Sequence, residues 1–192
     1  MYVQDGNRAE REKYNKIWTV PEYCNFSPGL RNVERFMKVI DPKPESTLVD
    51  VGCGGGVAGL EFEKLGLRVW YLDLVCNQLK PEIDKKRFIE SPIWGDWKFP
   101  HSGQKWEYGF CCDVMEHIPP EYTMLCLDRI IKNCRVSWFQ ISLIPEGMGS
   151  AIGETLHLTV KPFDWWLMKF GTLGKILDAR DLLNAGLYVV MK

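Results

Sequence analysis

Residues Leu48 to Gly56, Leu-Val-Asp-Val-Gly-Cys-Gly-Gly-Gly, constrain this chain more than any other stretch. Thr47, Leu48, Val49 and Val51 are β-branched or apolar, as suits a strand buried on both faces of a parallel sheet, and the glycines after them must form a turn. Val57 to Leu65 then places Val57, Leu60, Phe62 and Leu65 at helical spacing, with Gly66 where a helix would stop. The unit is strand, glycine turn, helix. Such a turn brings backbone close to a ligand where no side chain fits, and aims free N–H groups at an electron-rich group. A nucleotide-like cofactor is the economical explanation.

Two cofactor classes use that architecture. Gly54, Gly56 and Gly59 satisfy G-x-G-x-x-G, the dinucleotide fingerprint, which alone is a weak signal. The tighter fit is Asp50-x-Gly52-x-Gly54-x-Gly56, with a carboxylate two residues before the first glycine. A carboxylate there opposes a pyrophosphate and suits a cationic ligand. At these residues the chain resembles the class I S-adenosylmethionine-dependent methyltransferases, whose cofactor carries an ammonium and a sulfonium. A second motif, Asp113-Val-Met-Glu116-His117-Ile, closes the apolar run from Tyr108 and resembles the fourth-strand motif of the same family.

The resemblance implies a single α/β domain over residues 1–192, with a Rossmann-like methyltransferase fold. Its sheet would be mostly parallel and seven-stranded, ending in an antiparallel hairpin, with helices on both faces and residues 1–46 as a helical lid or cap. It implies S-adenosyl-L-methionine as cofactor and S-adenosyl-L-homocysteine as product. Asp50, Gly52, Cys53, Gly54 and Gly56 would hold the cofactor from the first turn, and Asp113 would line the pocket near its methionine end. Asp73 closes a second apolar strand, Leu67 to Leu74, where a βαβ unit places an acceptor for ribose hydroxyls. Leu74 follows it at the same strand end. For the adenine the resemblance points to Asp96 in Gly95-Asp96-Trp97, with Trp94 or Trp97 as candidates for the ring face.

The remaining chain is consistent with one domain. A strand is expected at Phe88 to Trp94, limited by Pro92, and a helix interrupted near Pro81 at Cys76 to Lys86. Further helices are expected at Arg31 to Ile40, Tyr122 to Cys134 and Pro162 to Phe170, and a strand at Val136 to Ile144. Lys175 to Leu183 and Leu187 to Met191 flank Asn184-Ala-Gly186 as a hairpin. Lys98 to Lys105 reads as loop. Tyr14, Trp18, Tyr23 and Phe26 either pack the N-terminal segment onto the domain or wall a pocket.

Net charge of −1 gives no footprint for nucleic acid or anionic membrane, which lowers nucleic acid as a partner without excluding it. No apolar run reaches the ~18 residues of a membrane span. The seven cysteines form no C-x-x-C and no zinc spacing, so no metal site is expected, and a reducing, cytoplasmic compartment is.

The implied chemistry is transfer of a sulfonium methyl to an oxygen or nitrogen nucleophile of a small-molecule acceptor. His117 and His157 are the candidate catalytic bases, ahead of His101 in the polar loop. Neither the Asn/Asp-Pro-Pro-Tyr tetrad of DNA amino methyltransferases nor the Pro-Cys nucleophile of the cytosine C5 class is present. The alternatives are a nucleic-acid or protein methyltransferase, a non-catalytic S-adenosylmethionine-binding subunit and, further off, an NAD(P)-dependent oxidoreductase. Oligomeric state is not encoded in any of these signals.

Overall fold

Seven strands form one sheet in the order β3-β2-β1-β4-β5-β7-β6. They are β1 (Thr47–Val51), β2 (Arg68–Asp73), β3 (Phe88–Glu90), β4 (Trp106–Cys112), β5 (Cys134–Ser142), β6 (Lys175–Asp181) and β7 (Ala185–Met191). The computed structural model describes residues 2–100 and 104–192, with side chains from residue 8 onward. Strands β1 to β5 pair in parallel, and β7 runs antiparallel to both β5 and β6. The order reverses between β1 and β4, so the ends of these two strands open a crevice at the switch point.

Every residue of β1 is buried, because both faces of the sheet are covered. Leu48 joins the layer of α3 (Pro28–Ile40) and α4 (Val57–Lys64), with Val33, Phe36, Ala58 and Phe62. Val49 and Val51 face the layer of α5 (Thr123–Asn133) and α6 (Phe163–Leu173), with Leu127, Ile130, Trp166 and Phe170. Phe36 anchors the first layer, edge-on to Phe62 at 5.0 Å, Phe110 at 5.7 Å and Trp138 at 5.7 Å.

The N-terminal segment divides in two. Helix α3 packs on α4 and β4 as part of the fold. Helices α1 (Tyr2–Ile17) and α2 (Pro21–Cys24) lie across the crevice instead.

Three local expectations are corrected. Residues 76–86 form turns, with only a one-turn 3₁₀ helix at Lys85–Arg87. Pro81 disfavours helix before it, and the Lys80 N–H donates to the Gly55 carbonyl at 3.1 Å, tying the segment to the glycine turn. Strand β3 stops at Glu90 because a Pro92 turn follows, closed from Gly95 N–H to Pro92 oxygen at 2.8 Å. Helix α5 begins at Thr123, after a 3₁₀ turn at Pro120–Tyr122. His101 lies outside the described residues.

Candidate active site

The site begins with the carboxylate that ends β1. Asp50 is buried, and its Oδ2 accepts from the Gly59 N–H at 3.1 Å. Loss of water raises its pKa from 3.8 to about 7, against the Gly59 bond. After it the chain folds back on β2, with the Gly52 and Cys53 N–H groups donating to the Leu72 carbonyl at 2.7 and 3.1 Å.

Gly52 and Gly54 carry positive φ of 70° and 53°. A Cβ on Gly52 would lie 2.4 Å from the Val114 side chain, and one on Gly54 would lie 2.7 Å from the Trp18 ring. No other residue fits this turn. Gly56 stands outside the cavity lining and packs against Ile83 and Tyr71. Cys53, between Gly52 and Gly54, lines the cavity, its thiol pKa raised well above the usual range by burial.

Asp73, at the end of β2, braces the turn from the other side. Its Oδ2 accepts from Gly54 N–H at 2.8 Å and its Oδ1 from Val75 N–H at 3.2 Å. Burial raises its pKa, opposed by these bonds and by the Arg11 charge. The Leu74 backbone also bonds this carboxylate, which leaves one of its roughly four acceptor sites for a ligand.

The ends of β1 and β4 open into a cavity of about 390 Å³ and a smaller one of about 90 Å³. They share Trp18, Tyr23, Gly52, Asp113 and His117 in their walls, so they are two compartments of one cleft. Asp73, Leu74, Ile93 and Trp94 line the smaller one. Trp94 is buried with one face stacked on Tyr122 at 5.0 Å. Asp96 is not brought to the cleft. Its exposed carboxylate pairs with Lys98 at 3.3 Å and Arg129 at 3.5 Å, because the Pro92 turn sends the chain outward after Trp94.

The roof comes from α1, α2 and the turn between them. Trp18 lies over Gly54 and edge-on to Tyr23 at 4.7 Å. Arg11 donates to the Leu74 carbonyl and to Glu90 Oε1 at 2.6 Å, tying the roof to the end of β2 and to β3. Both readings of the N-terminal aromatics therefore hold together: they pack the segment down and they wall the cleft.

At the far wall stands the second motif. Asp113 has a φ of 53°, a strained value for a residue with a Cβ, of the kind that collects at functional sites. It is held to β5, its N–H donating to the Gln140 carbonyl at 2.9 Å and its Oδ1 accepting from Gln140 Nε2 at 3.3 Å. Burial raises its pKa, and the charges of His157 and Arg31 oppose the rise. His117 and His157 line the larger compartment with their rings 4.6 Å apart and edge to face. Burial lowers the His117 pKa to about 3, so it is neutral at physiological pH.

Some wall residues carry no sequence signal. Glu146 is one: it accepts from Gly149 N–H at 3.0 Å and Leu156 N–H at 2.9 Å, pinning the loop after β5 against the larger compartment. Arg11, which ties the roof down from outside the cavity lining, likewise carries no sequence signal, since its partners are distant in the chain.

No protein-family model matches the chain, and no curated protein does. Solved structures do. The magnesium protoporphyrin IX methyltransferase of Synechocystis PCC 6803, crystallised with S-adenosylhomocysteine, superposes with a TM-score of 0.63 at 14% identity, covering 97% of this chain and 95% of that one. The 1,6-didemethyltoxoflavin-N1-methyltransferase of Burkholderia thailandensis, with its acceptor and S-adenosylhomocysteine bound, gives 0.61 at 14% identity over 99% and 87%. The PH0226 protein of Pyrococcus horikoshii OT3 gives 0.70 at 13% identity over 92% and 98%. With its strand order and its crevice between β1 and β4, this chain has the Rossmann-like fold of the class I S-adenosylmethionine-dependent methyltransferases.

Proposed function

We propose that this protein is an S-adenosylmethionine-dependent methyltransferase acting on an oxygen or nitrogen nucleophile of a small-molecule acceptor. The observation that carries the reading is the glycine turn, clamped between Asp50 and Asp73 and opening on a roofed cleft. The residues present fit the cofactor. Gly52 and Gly54 leave room for close backbone approach, and Asp50, Asp73 and Asp113 place three carboxyl groups in the cleft, whose ionised forms a ligand bearing an ammonium and a sulfonium would favour. The same carboxylates count against a dinucleotide pyrophosphate.

When bound, the cofactor supplies an activated methyl group whose bonding pair returns to sulfur as the acceptor takes the methyl. The chain's own part is binding, orientation and exclusion of water. In this reading Asp73 and Leu74 meet the ribose and Trp94 the adenine in the smaller compartment. Asp113 meets the methionine end, which leaves the far part of the larger compartment, beside His117 and His157, for the acceptor. His117, neutral with a pKa of about 3, is a poor carrier of the acceptor's proton, so His157 is the stronger candidate base.

The roof of Trp18 and Tyr23 favours an acceptor small enough to be enclosed. No helix among the described residues is long and apolar enough to cross a membrane. The test is incubation with methyl-tritiated S-adenosylmethionine and a panel of phenols, catechols, heteroaromatic amines and carboxylic acids. Label in one or more acceptors is expected. Tight cofactor binding with no transfer to any acceptor, or transfer to nucleic acid or protein alone, would overturn the small-molecule enzyme reading.

A further inference from the structure

Beside the acceptor end, three side chains face one another with nothing to share. Glu116 is fully buried in the 3₁₀ turn Met115–His117. Its Oε1 accepts from Ser142 N–H at 2.8 Å, but its Oε2 is shut from solvent without a partner. The Nδ1 of His117 is likewise enclosed and unpartnered, since the hydrogen bond that ring makes goes to the Leu156 backbone. His157 Nδ1 lies 2.8 Å from the Ile144 carbonyl. A carbonyl only accepts, so Nδ1 carries a proton, and in the neutral ring the lone pair is then on Nε2.

The potential ligand atoms of Glu116, His117 and His157 all lie within 4.8 Å of one another. With Glu116 ionised and both imidazoles neutral, as metal ligands must be, all three are acceptors. A proton shared between Glu116 and His117 would serve two of them and leave the third. A cation would serve all three and would offset the burial of the Glu116 carboxylate.

The surroundings are built to hold that geometry. The Glu116 carbonyl accepts from both Leu158 and Thr159 N–H groups at 2.8 Å, and Thr159 Oγ1 donates to the Ile118 carbonyl at 2.7 Å, stitching the His157 segment to the Glu116-His117 turn. Each histidine directs its second ring nitrogen to backbone, the arrangement that fixes a metal-binding tautomer. The ammonium of Lys13, whose charge acts on His117, is paired with Glu10 at 2.7 Å.

We propose that Glu116 Oε2, His117 Nδ1 and His157 Nε2 bind a divalent transition-series cation, whose open positions take an oxygen of the acceptor. Two imidazoles and one carboxylate favour Zn²⁺, Co²⁺, Mn²⁺ or Fe²⁺ over Mg²⁺ and Ca²⁺, which prefer all-oxygen sites. Metal bonds of about 2.1 Å set ligand separations of roughly 3 to 4 Å, so small side-chain rotations close the cluster on the ion. Only the acceptor's part in this rests on the methyltransferase reading. With the ion bound the two histidines position the acceptor instead of taking its proton, which replaces the base role given to His157 in the metal-free reading, and the site departs from the metal-free one expected from cysteine spacing.

The test is titration of the chelator-treated full-length protein with Co²⁺, followed by visible absorption, and with Zn²⁺, followed by calorimetry. One equivalent per chain is expected, with cobalt d–d bands and no thiolate-to-cobalt band. His157→Gln, at a half-exposed position, and Glu116→Gln, which preserves shape, should each weaken binding at least about tenfold while circular dichroism stays native. Absence of binding to the wild type would overturn the proposal. So would undiminished affinity in both variants, or a thiolate band placing the ion on cysteine. S-adenosylmethionine titrated into the same metal-free protein reads the cofactor site separately, so failure at one site is distinguishable from failure at the other.

Discussion

Asp73 braces the fold and is, in the proposed reading, also a ligand-binding residue. It closes β2 and accepts from the Gly54 and Val75 N–H groups at 2.8 and 3.2 Å, which fixes the glycine turn. Asp73→Ala should therefore lower S-adenosylmethionine affinity at least about tenfold and cost roughly 1–3 kcal/mol of stability through the orphaned donors. Calorimetry and chemical denaturation check the two effects, and unchanged affinity in a folded variant would remove Asp73 from the ribose. Asp50 makes a pH prediction. Its pKa is raised from 3.8 to about 7, so the fold holds a proton that the unfolded chain releases. That contribution to stability is full below the unfolded value and lost as pH rises through the folded one. Asp50→Asn keeps an acceptor for Gly59 and cannot ionise. Denaturation at pH values from about 4 to 8 should show the variant gaining on the wild type as pH rises, by a few kcal/mol at roughly 1.4 kcal/mol per pH unit. A constant difference across that range would show that Asp50 does not titrate there. These residues were legible in the sequence because a turn that only glycine can make, bracketed by carboxylates at strand ends, is a local signal.

At the scale of elements, the roof formed by α1 and α2 distinguishes this cleft from an open sheet edge. Arg11 tethers it to Leu74 and Glu90 through partly exposed contacts. Such a pair contributes on the order of 1 kcal/mol or less, so Arg11→Ala should leave the melting temperature nearly unchanged. The loosened roof should be cut faster by protease within α1 and α2, release S-adenosylmethionine several-fold faster, and regain protection when cofactor is saturating. Cleavage and release rates equal to wild type would show that the tether does not hold the roof. The helices α3 to α6 and the hairpin of β6 and β7 were readable from apolar spacing and turn residues. The tether was not, because Arg11 and Leu74 are 63 residues apart and nothing near either predicts the other. Residues 76–86 misled for a similar reason: their pattern suits a helix, but Pro81 and the bond from Lys80 to Gly55 commit them to the glycine turn. Asp96 was read as lying at the cleft because the turn at Pro92, which carries it to Lys98 and Arg129, lies between it and the strand that set the alignment.

Across the whole molecule, the strand order sets where chemistry can occur. Reversal between β1 and β4 brings Asp50, the glycine turn and Asp113 to one crevice, although Asp50 and Asp113 are 63 residues apart in the chain. In the proposed reading the sheet would carry the cofactor end of the cleft, and the loops after β4 and β5, with the roof, the acceptor end, which is why the fold and the turn were legible while the acceptor was not. The central claim is the identity of the cofactor. Its most direct test is calorimetric titration of the purified protein with S-adenosylmethionine, S-adenosylhomocysteine and NADH side by side. The account predicts saturable one-to-one binding of the first two and none of NADH. Binding of NADH alone, or of none of the three, would contradict it.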